Sequence, residues 1–180
     1  EKNMAKKKAN KIGLFDLLMM LMALVGLALA VVGICIPFFQ LNFADGSTGM
    51  GLFEEGLAEG SDFPLATVQA FAIISLVFTV IAAALVILGK LGVIKFKGFF
   101  KLILAIATIV FAALVITFAA TYAAQYDLSS IGGSMGGIWG DILGGISDLT
   151  NTSFVAATGA YFVMSGGVVA GVALLVSKLK

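Results

Sequence analysis

The sequence predicts an all-α membrane protein, a bundle of four transmembrane helices. Two observations predict it: four long stretches carry no charge, and the charged residues are sorted between the segments that connect them. A helix of roughly 20 apolar residues crosses a hydrocarbon core of ~30 Å. The four predicted spans are residues 17–39, 65–88, 102–124 and 154–176.

Basic and acidic residues occupy alternate connections. All 11 basic residues are lysines, and they lie before the first span, between the second and third, and after the fourth. Eight of the 10 acidic residues lie in the two other connections. Because positive charge is retained in the cytoplasm, we expect both termini and the middle turn to be cytoplasmic, in a multi-pass protein of the plasma membrane.

This topology divides a single transmembrane domain, residues 1–180, into successive segments. Between the spans we predict a cytoplasmic tail (1–16), a first outer loop (40–64), a cytoplasmic turn (89–101), a second outer loop (125–153) and a cytoplasmic end (177–180). A secretory signal is not expected, because the first apolar stretch exceeds the 7–15 residues of such a signal.

The composition favours lipid over other partners. Hydrophobic residues make up 61% of the chain and charged residues 12%, far from the balance of a soluble domain. The lysine-rich start is short and contains no arginine. We therefore expect the lipid bilayer to surround the chain, and we expect no nucleic-acid partner.

Nothing in the spans suggests catalysis. The chain has one cysteine and no histidine, and the last three spans contain no Asp, Glu or Lys. Enzymes and metal centres need such groups held together, so we expect a protein that is not an enzyme, with no catalytic, cofactor-binding or metal-binding residues. Hydroxyls four residues apart, such as Ser75 and Thr79, either bond to the carbonyl one turn earlier or line a polar pore.

Asp16 lies near the cytoplasmic end of the first span. A carboxylate at a helix N-terminus is stabilised by the helix dipole, and Lys11 or Lys101 would neutralise it. The alternative is a gate for a cation or proton at the inner mouth of the bundle.

Glycines form stripes on the first and fourth spans. Gly26 and Gly33 are seven residues apart, and Gly167 and Gly171 are four apart. Such stripes let helix backbones approach closely in lipid. We predict packing within the bundle, with self-association through an outward stripe as the alternative.

The first outer loop predicts a small extracellular β-hairpin. Residues 39–43 alternate apolar and polar, residues 45–49 are typical of a turn, and residues 50–53 would form the returning strand. An exposed strand edge can pair with another chain. Four acidic residues follow (Glu54, Glu55, Glu59 and Asp62) and form either a solvated face or a surface that attracts cations.

The second outer loop predicts a short amphipathic helix. Apolar residues recur at helical spacing between positions 131 and 149, with Trp139 at the membrane interface. A re-entrant or oligomer-contact helix is the alternative. The residues that we predict to contact a partner are Phe39, Phe43, Leu52, Phe53 and Trp139.

Three motifs resemble those of claudins and their peripheral-myelin-protein relatives. Pro37-Phe38-Phe39-Gln40-Leu41 resembles the Pro-x-Trp-x-Val exit of their first helix, and Gly51-Leu52-Phe53 resembles the Gly-Leu-Trp that follows. Gly159-Ala160-Tyr161 is similar to a small-small-Tyr pattern in their fourth helix. Phe replaces Trp in the first two motifs, and the paired loop cysteines are absent. The resemblance implies a left-handed bundle with an outer strand layer, and a role in adhesion, barrier formation or as an accessory subunit.

Two functional hypotheses follow. The first is a non-catalytic membrane protein that acts by association, as a homo-oligomer or as an accessory subunit of another membrane protein. The alternative is an oligomeric channel, in which acidic outer loops concentrate cations above hydroxyl-bearing helix faces.

Overall fold

The protein is a four-helix bundle with a three-stranded antiparallel sheet at one end, which confirms the predicted fold class. The computed structural model describes residues 13–43, 46–54, 63–94, 98–125 and 153–177. In chain order the elements are α1 (Leu14–Cys35), β1 (Phe39–Phe43), β2 (Gly46–Met50), α2 (Leu65–Lys90), α3 (Gly98–Ala124), β3 (Ser153–Ala156) and α4 (Thr158–Val176). The predicted helix of the second outer loop lies outside the described residues.

All four helices are long and apolar enough to cross a membrane. The shortest, α4, has 19 residues and spans about 28 Å at 1.5 Å per residue, close to the thickness of a hydrocarbon core. Large apolar side chains such as Leu21, Val77 and Val110 are exposed on the outside of the bundle. These are the features of a multi-pass membrane protein.

Each helix contains a series of buried positions that are spaced alternately by three and four residues. They include Met19, Ala23, Gly26, Ala30 and Gly33 in α1; Leu65, Val68, Ala72, Ser75, Thr79, Ala82 and Val86 in α2; Ala105, Thr108, Ala112, Val115, Ala119 and Tyr122 in α3; and Gly159, Val163, Gly166, Ala170 and Ala173 in α4. This spacing averages 3.5 residues, the period of left-handed coiled-coil packing. Helix α4 packs against α1, α2 and α3, so its small residues set the spacing of the bundle.

The sheet has the order β2-β1-β3. Phe39 pairs with Met50 on one side and with Ala156 on the other, and Phe43 pairs with Gly46. The predicted hairpin exists, but its predicted turn at 45–49 and returning strand at 50–53 are wrong. Because Phe43 pairs with a residue only three positions later, the returning strand occupies residues 46–50 instead.

Three helix ends extend beyond the predicted spans, at Leu14, Lys90 and Gly98, and two helix ends lie inside them. Helix α1 ends at Cys35 and not at residue 39, since Pro37 has no amide hydrogen and restricts the residue before it; Ile36 is accordingly extended, with φ −101° and ψ 170°. Helix α4 begins at Thr158 and not at residue 154, because the preceding residues form β3.

We call the two ends of the bundle the sheet end and the lysine end. At the sheet end α1 and α3 finish and α2 and α4 begin, next to the three strands. The lysine end contains Lys90 and Lys101. There α2 finishes in a Schellman motif: Gly92 has φ +74°, its N–H donates to the Gly89 carbonyl at 3.2 Å, and the Val93 N–H donates to the Leu88 carbonyl at 3.0 Å.

Candidate functional site

The candidate site is the strand layer, defined as residues 36–43, 46–54 and 153–157. Backbone hydrogen bonds fix it to the helices. The Gly159 N–H donates to the Pro37 carbonyl at 2.9 Å, and the Ala157 N–H donates to the Phe38 carbonyl at 2.9 Å. The first N–H groups of a helix have no partner within the helix, so the exit from α1 supplies acceptors at the start of α4.

An aromatic cluster fills the space between the strand layer and the bundle. The Phe39 ring is fully buried, and its centroid lies 5.1 Å from that of Tyr122 and 5.4 Å from that of Phe154. The Phe38 ring meets Phe39 edge-on at 5.5 Å. Such ring pairs add about 0.5–1.5 kcal/mol each to the effect of burial. The sheet therefore rests with one apolar face against the bundle.

The opposite face of the sheet carries uncharged polar side chains of β1 and β3, together with the apolar side chain of Val155. The Gln40 side-chain amide donates to Asn42 Oδ1 at 2.9 Å, and the Asn42 amide donates to Ser153 Oγ at 3.2 Å. The first bond lies within β1, and the second crosses from β1 to β3. A further bond joins the layer to α2, where Gln69 Nε2 donates to the carbonyl of buried Leu52 at 3.1 Å.

Strand β2 forms one edge of the sheet. Among the described strands it pairs only with β1, and Gly46, Ser47, Thr48 and Gly49 are all exposed. Natural sheets usually protect such an edge with lysine, proline or a bulge, and β2 contains neither lysine nor proline. Among the described residues, no strand pairs with this outer edge of β2, so it is available to another strand.

Glycine is required at one position of this edge strand. A Cβ on Gly49 would stand 2.6 Å from Cβ of Pro37 and 2.7 Å from its Cγ. Such contacts are shorter than real Cβ atoms make. Gly49 therefore lets β2 pass over the turn that follows α1.

The predicted contact residues are distributed between the interior and the surface. Phe39 and Leu52 are fully buried in the protomer, so their side chains belong to its own core. Phe53 is 56% exposed. Phe43 lies in β1 opposite Gly46, and its side chain is not described; Trp139 lies outside the described residues. Contact with a partner stays a prediction. Phe53 and the edge of β2 are exposed and could make such a contact.

The four predicted packing glycines all lie at contacts between helices of the protomer. A Cβ on Gly26 would stand 2.7 Å from the Gly166 carbonyl oxygen, and one on Gly33 would stand 2.7 Å from that of Gly159. On α4, a Cβ on Gly167 would meet Ala112 Cβ at 2.6 Å, and one on Gly171 would meet Ile109 Cγ1 at 2.6 Å. These faces are occupied within the bundle.

Hydroxyl groups within the bundle bond mainly to their own helices. Thr79 Oγ1 donates to the Ser75 carbonyl and Thr108 Oγ1 to the Leu104 carbonyl, both at 2.8 Å. Thr117 and Thr121 bond one turn back in the same way, so the predicted bonding is confirmed for these threonines. Within the described part of the chain, Ser75 Oγ is buried without a hydrogen-bond partner. Because Ser75, Thr79 and Thr108 are fully buried, these three residues line no water-accessible path in the protomer.

Asp16 forms an ion pair with Lys90, which is neither of the two partners predicted from the sequence. Its Oδ1 accepts a hydrogen bond from Lys90 Nζ at 2.7 Å, and its Oδ2 accepts one from the Gly13 N–H at 3.3 Å. The Lys90 ammonium also lies 5.9 Å from the Phe15 ring centroid. Lys11, one of the two predicted partners, lies outside the described residues. The position of Lys90 in the sequence did indicate this pairing. Lys90 is the last residue of α2, two positions before Gly92, and therefore lies at the end of the bundle where α1 begins.

The described residues bring together no group of three His, Cys, Asp or Glu that would hold a metal ion. The chain matches no protein-family model, no curated protein and no solved structure. The geometry of the strand layer is therefore the basis of the functional proposal.

Proposed function

We propose that the protein is a non-catalytic integral membrane protein that acts by association through its strand layer. The exposed, uncharged edge of β2 is the observation that carries this proposal. Main-chain groups along such an edge bind an additional strand, and neighbouring side chains add selectivity. Phe53, which follows β2, supplies an exposed aromatic contact of the kind that is enriched at interfaces.

The proposed biological role is structural: adhesion, or service as an accessory subunit of a larger membrane complex. It follows the resemblance to claudins and their relatives, whose fold also places strands on one end of four helices. The proposed location is the plasma membrane, with the sheet end outside and both termini in the cytoplasm. The sorting of the lysines supports this orientation.

Association can be measured on the full chain extracted from its membrane in mild detergent. We expect a complex heavier than the protomer, and we expect Phe53→Ala to reduce its abundance. Leu21→Ala is the matched control, because Leu21 is an apolar residue of similar exposure, 58% against 56%, on the lipid-facing side of α1. A complex that is lost with Leu21→Ala and kept with Phe53→Ala would place association outside the strand layer.

Liposomes distinguish this proposal from the oligomeric channel. Purified protein should leave ion flux at the level of protein-free vesicles, because the buried hydroxyls of α2 and α3 do not reach water in the protomer. A defined, saturable conductance would overturn the proposal in favour of the channel.

A further inference from the structure

We infer that the strand which pairs with β2 is β2 of a second copy of this chain in the same membrane. The two copies would be related by a twofold axis along the membrane normal. This inference rests on the proposed association through the strand layer, and it specifies the partner and the geometry.

Membrane orientation limits the symmetry that two copies can adopt. Copies inserted in the same direction are related by a rotation axis parallel to the membrane normal. Phe39, Leu41 and Phe154 are buried on the face of the sheet that packs on the bundle, so two bundles in one membrane require pairing that keeps this face on the same side in both copies. Two antiparallel strands are related by a twofold axis perpendicular to their sheet. Antiparallel pairing of β2 with its copy is therefore the pairing that the membrane permits.

The residues of β2 suit pairing with an identical strand. The strand is Gly46-Ser47-Thr48-Gly49-Met50, without charge. Full overlap places Thr48 opposite its copy, Ser47 opposite Gly49, and Gly46 opposite Met50. No like charges face each other, and a pair of threonines is a favourable cross-strand pair. The product is a six-stranded sheet in the order β3-β1-β2-β2-β1-β3.

The other edge of the sheet is less available. Strand β3 packs against α3, and its Phe154 is buried in the aromatic cluster. Val155, on the same strand, is 39% exposed. It therefore offers a control position that belongs to the same sheet and lies at the opposite edge.

Disulfide cross-linking in membranes tests the pairing directly. In a Cys35→Ser background, Thr48→Cys should form a disulfide-linked dimer under mild oxidation. Opposed residues of antiparallel strands have Cα atoms about 4.5–5.5 Å apart, within the range that a disulfide spans. Val155→Cys should stay monomeric. Efficient cross-linking of Val155→Cys with none for Thr48→Cys would overturn the inference.

A charge at the centre of the edge tests the same contact without cysteine. Thr48→Lys in the otherwise native chain should weaken dimerisation at least tenfold, because two lysines would face each other. Val155→Lys should leave dimerisation unchanged, and equal melting temperatures would show that both variants fold. A native complex that persists in Thr48→Lys, with no cross-link at Thr48→Cys, overturns this inference and leaves the proposed association standing. A native chain that is wholly monomeric overturns both.

Discussion

Gly26 and Gly166 lie face to face, and each backbone occupies the space where a Cβ on the other would stand. The Gly166 carbonyl oxygen is 2.7 Å from the Cβ position of Gly26, and the Gly26 carbonyl oxygen is 2.5 Å from that of Gly166. Gly33 and Gly159 repeat the arrangement seven residues further along, at 2.7 and 2.6 Å. Since apolar burial does not drive helix association in lipid, this close approach is what holds α1 to α4.

Gly26→Ala should therefore destabilise the bundle by about 1–3 kcal/mol, the usual cost of overpacking. The added methyl group meets backbone atoms of Gly166 and Ala170 at 2.7 and 2.8 Å, so the helices must separate. The higher helix propensity of alanine, about 1 kcal/mol, offsets part of this effect. Unfolding in detergent is the measurement.

Gly51→Ala is the matched control for this substitution. A Cβ on Gly51 meets nothing within 4 Å, and its φ is not in the left-handed region, so stability should change little. A Gly26→Ala variant as stable as the native chain would mean that α1 and α4 do not approach this closely.

The sequence was sufficient for those parts of the fold that depend on local chemistry. Four apolar stretches predicted four helices, and the repeated seven-residue spacing of Gly26 and Gly33 predicted a packing stripe. The start of β1 was also predictable, because residues 39–43 alternate in polarity next to a proline that ends α1.

Contacts between distant residues could not be predicted in this way. Strand β3 consists of Ser153-Phe154-Val155-Ala156, whose apolar residues read as the start of a helix; its strand conformation depends on pairing with β1, more than 100 residues earlier. The bond from the Gly159 N–H to the Pro37 carbonyl joins two segments in the same way. Lys90 was missed as the partner of Asp16 for a similar reason, since only the packing of α1 against α2 brings them together.

The Asp16–Lys90 pair should stabilise the contact between α1 and α2. The two side chains are 31% and 15% exposed, so the pair lies between an exposed pair, which contributes below about 1 kcal/mol, and a buried one, whose disruption costs about 3–5 kcal/mol. We expect Asp16→Asn or Lys90→Met to cost about 1–2 kcal/mol each. A double-mutant cycle on unfolding free energies would measure the coupling.

Exchanging the two charges tests the role of the helix dipoles. Asp16 lies in the first turn of α1 and Lys90 in the last turn of α2, where each charge is favoured by its own helix. The exchanged variant, Asp16→Lys with Lys90→Asp, restores the pair but reverses both dipole interactions. It should remain less stable than the native chain; complete rescue would show that only the pairing of opposite charges matters.

Alanine substitutions at Phe39 and Phe53 should have different effects: the first should lower the stability of the protomer, and the second should weaken its association. Phe39→Ala removes a fully buried ring from the aromatic cluster and should cost about 3–5 kcal/mol. Phe53→Ala removes a ring that is 56% exposed, so the protomer should unfold as the native chain does while its association weakens. A Phe39→Ala variant that unfolds like the native chain would contradict the buried cluster.

Substitutions at Gly92 test whether the end of α2 depends on a left-handed backbone conformation. Its φ of +74° is in the left-handed region, where a Cβ costs about 1–2 kcal/mol, and a Cβ built there meets nothing within 4 Å. Gly92→Ala should therefore lower the unfolding free energy by about that amount without any steric clash. Gly92→Asn should lower it less, because asparagine tolerates this conformation better than other residues with a Cβ. Equal stability of the native, alanine and asparagine chains would mean that α2 does not end in a left-handed turn.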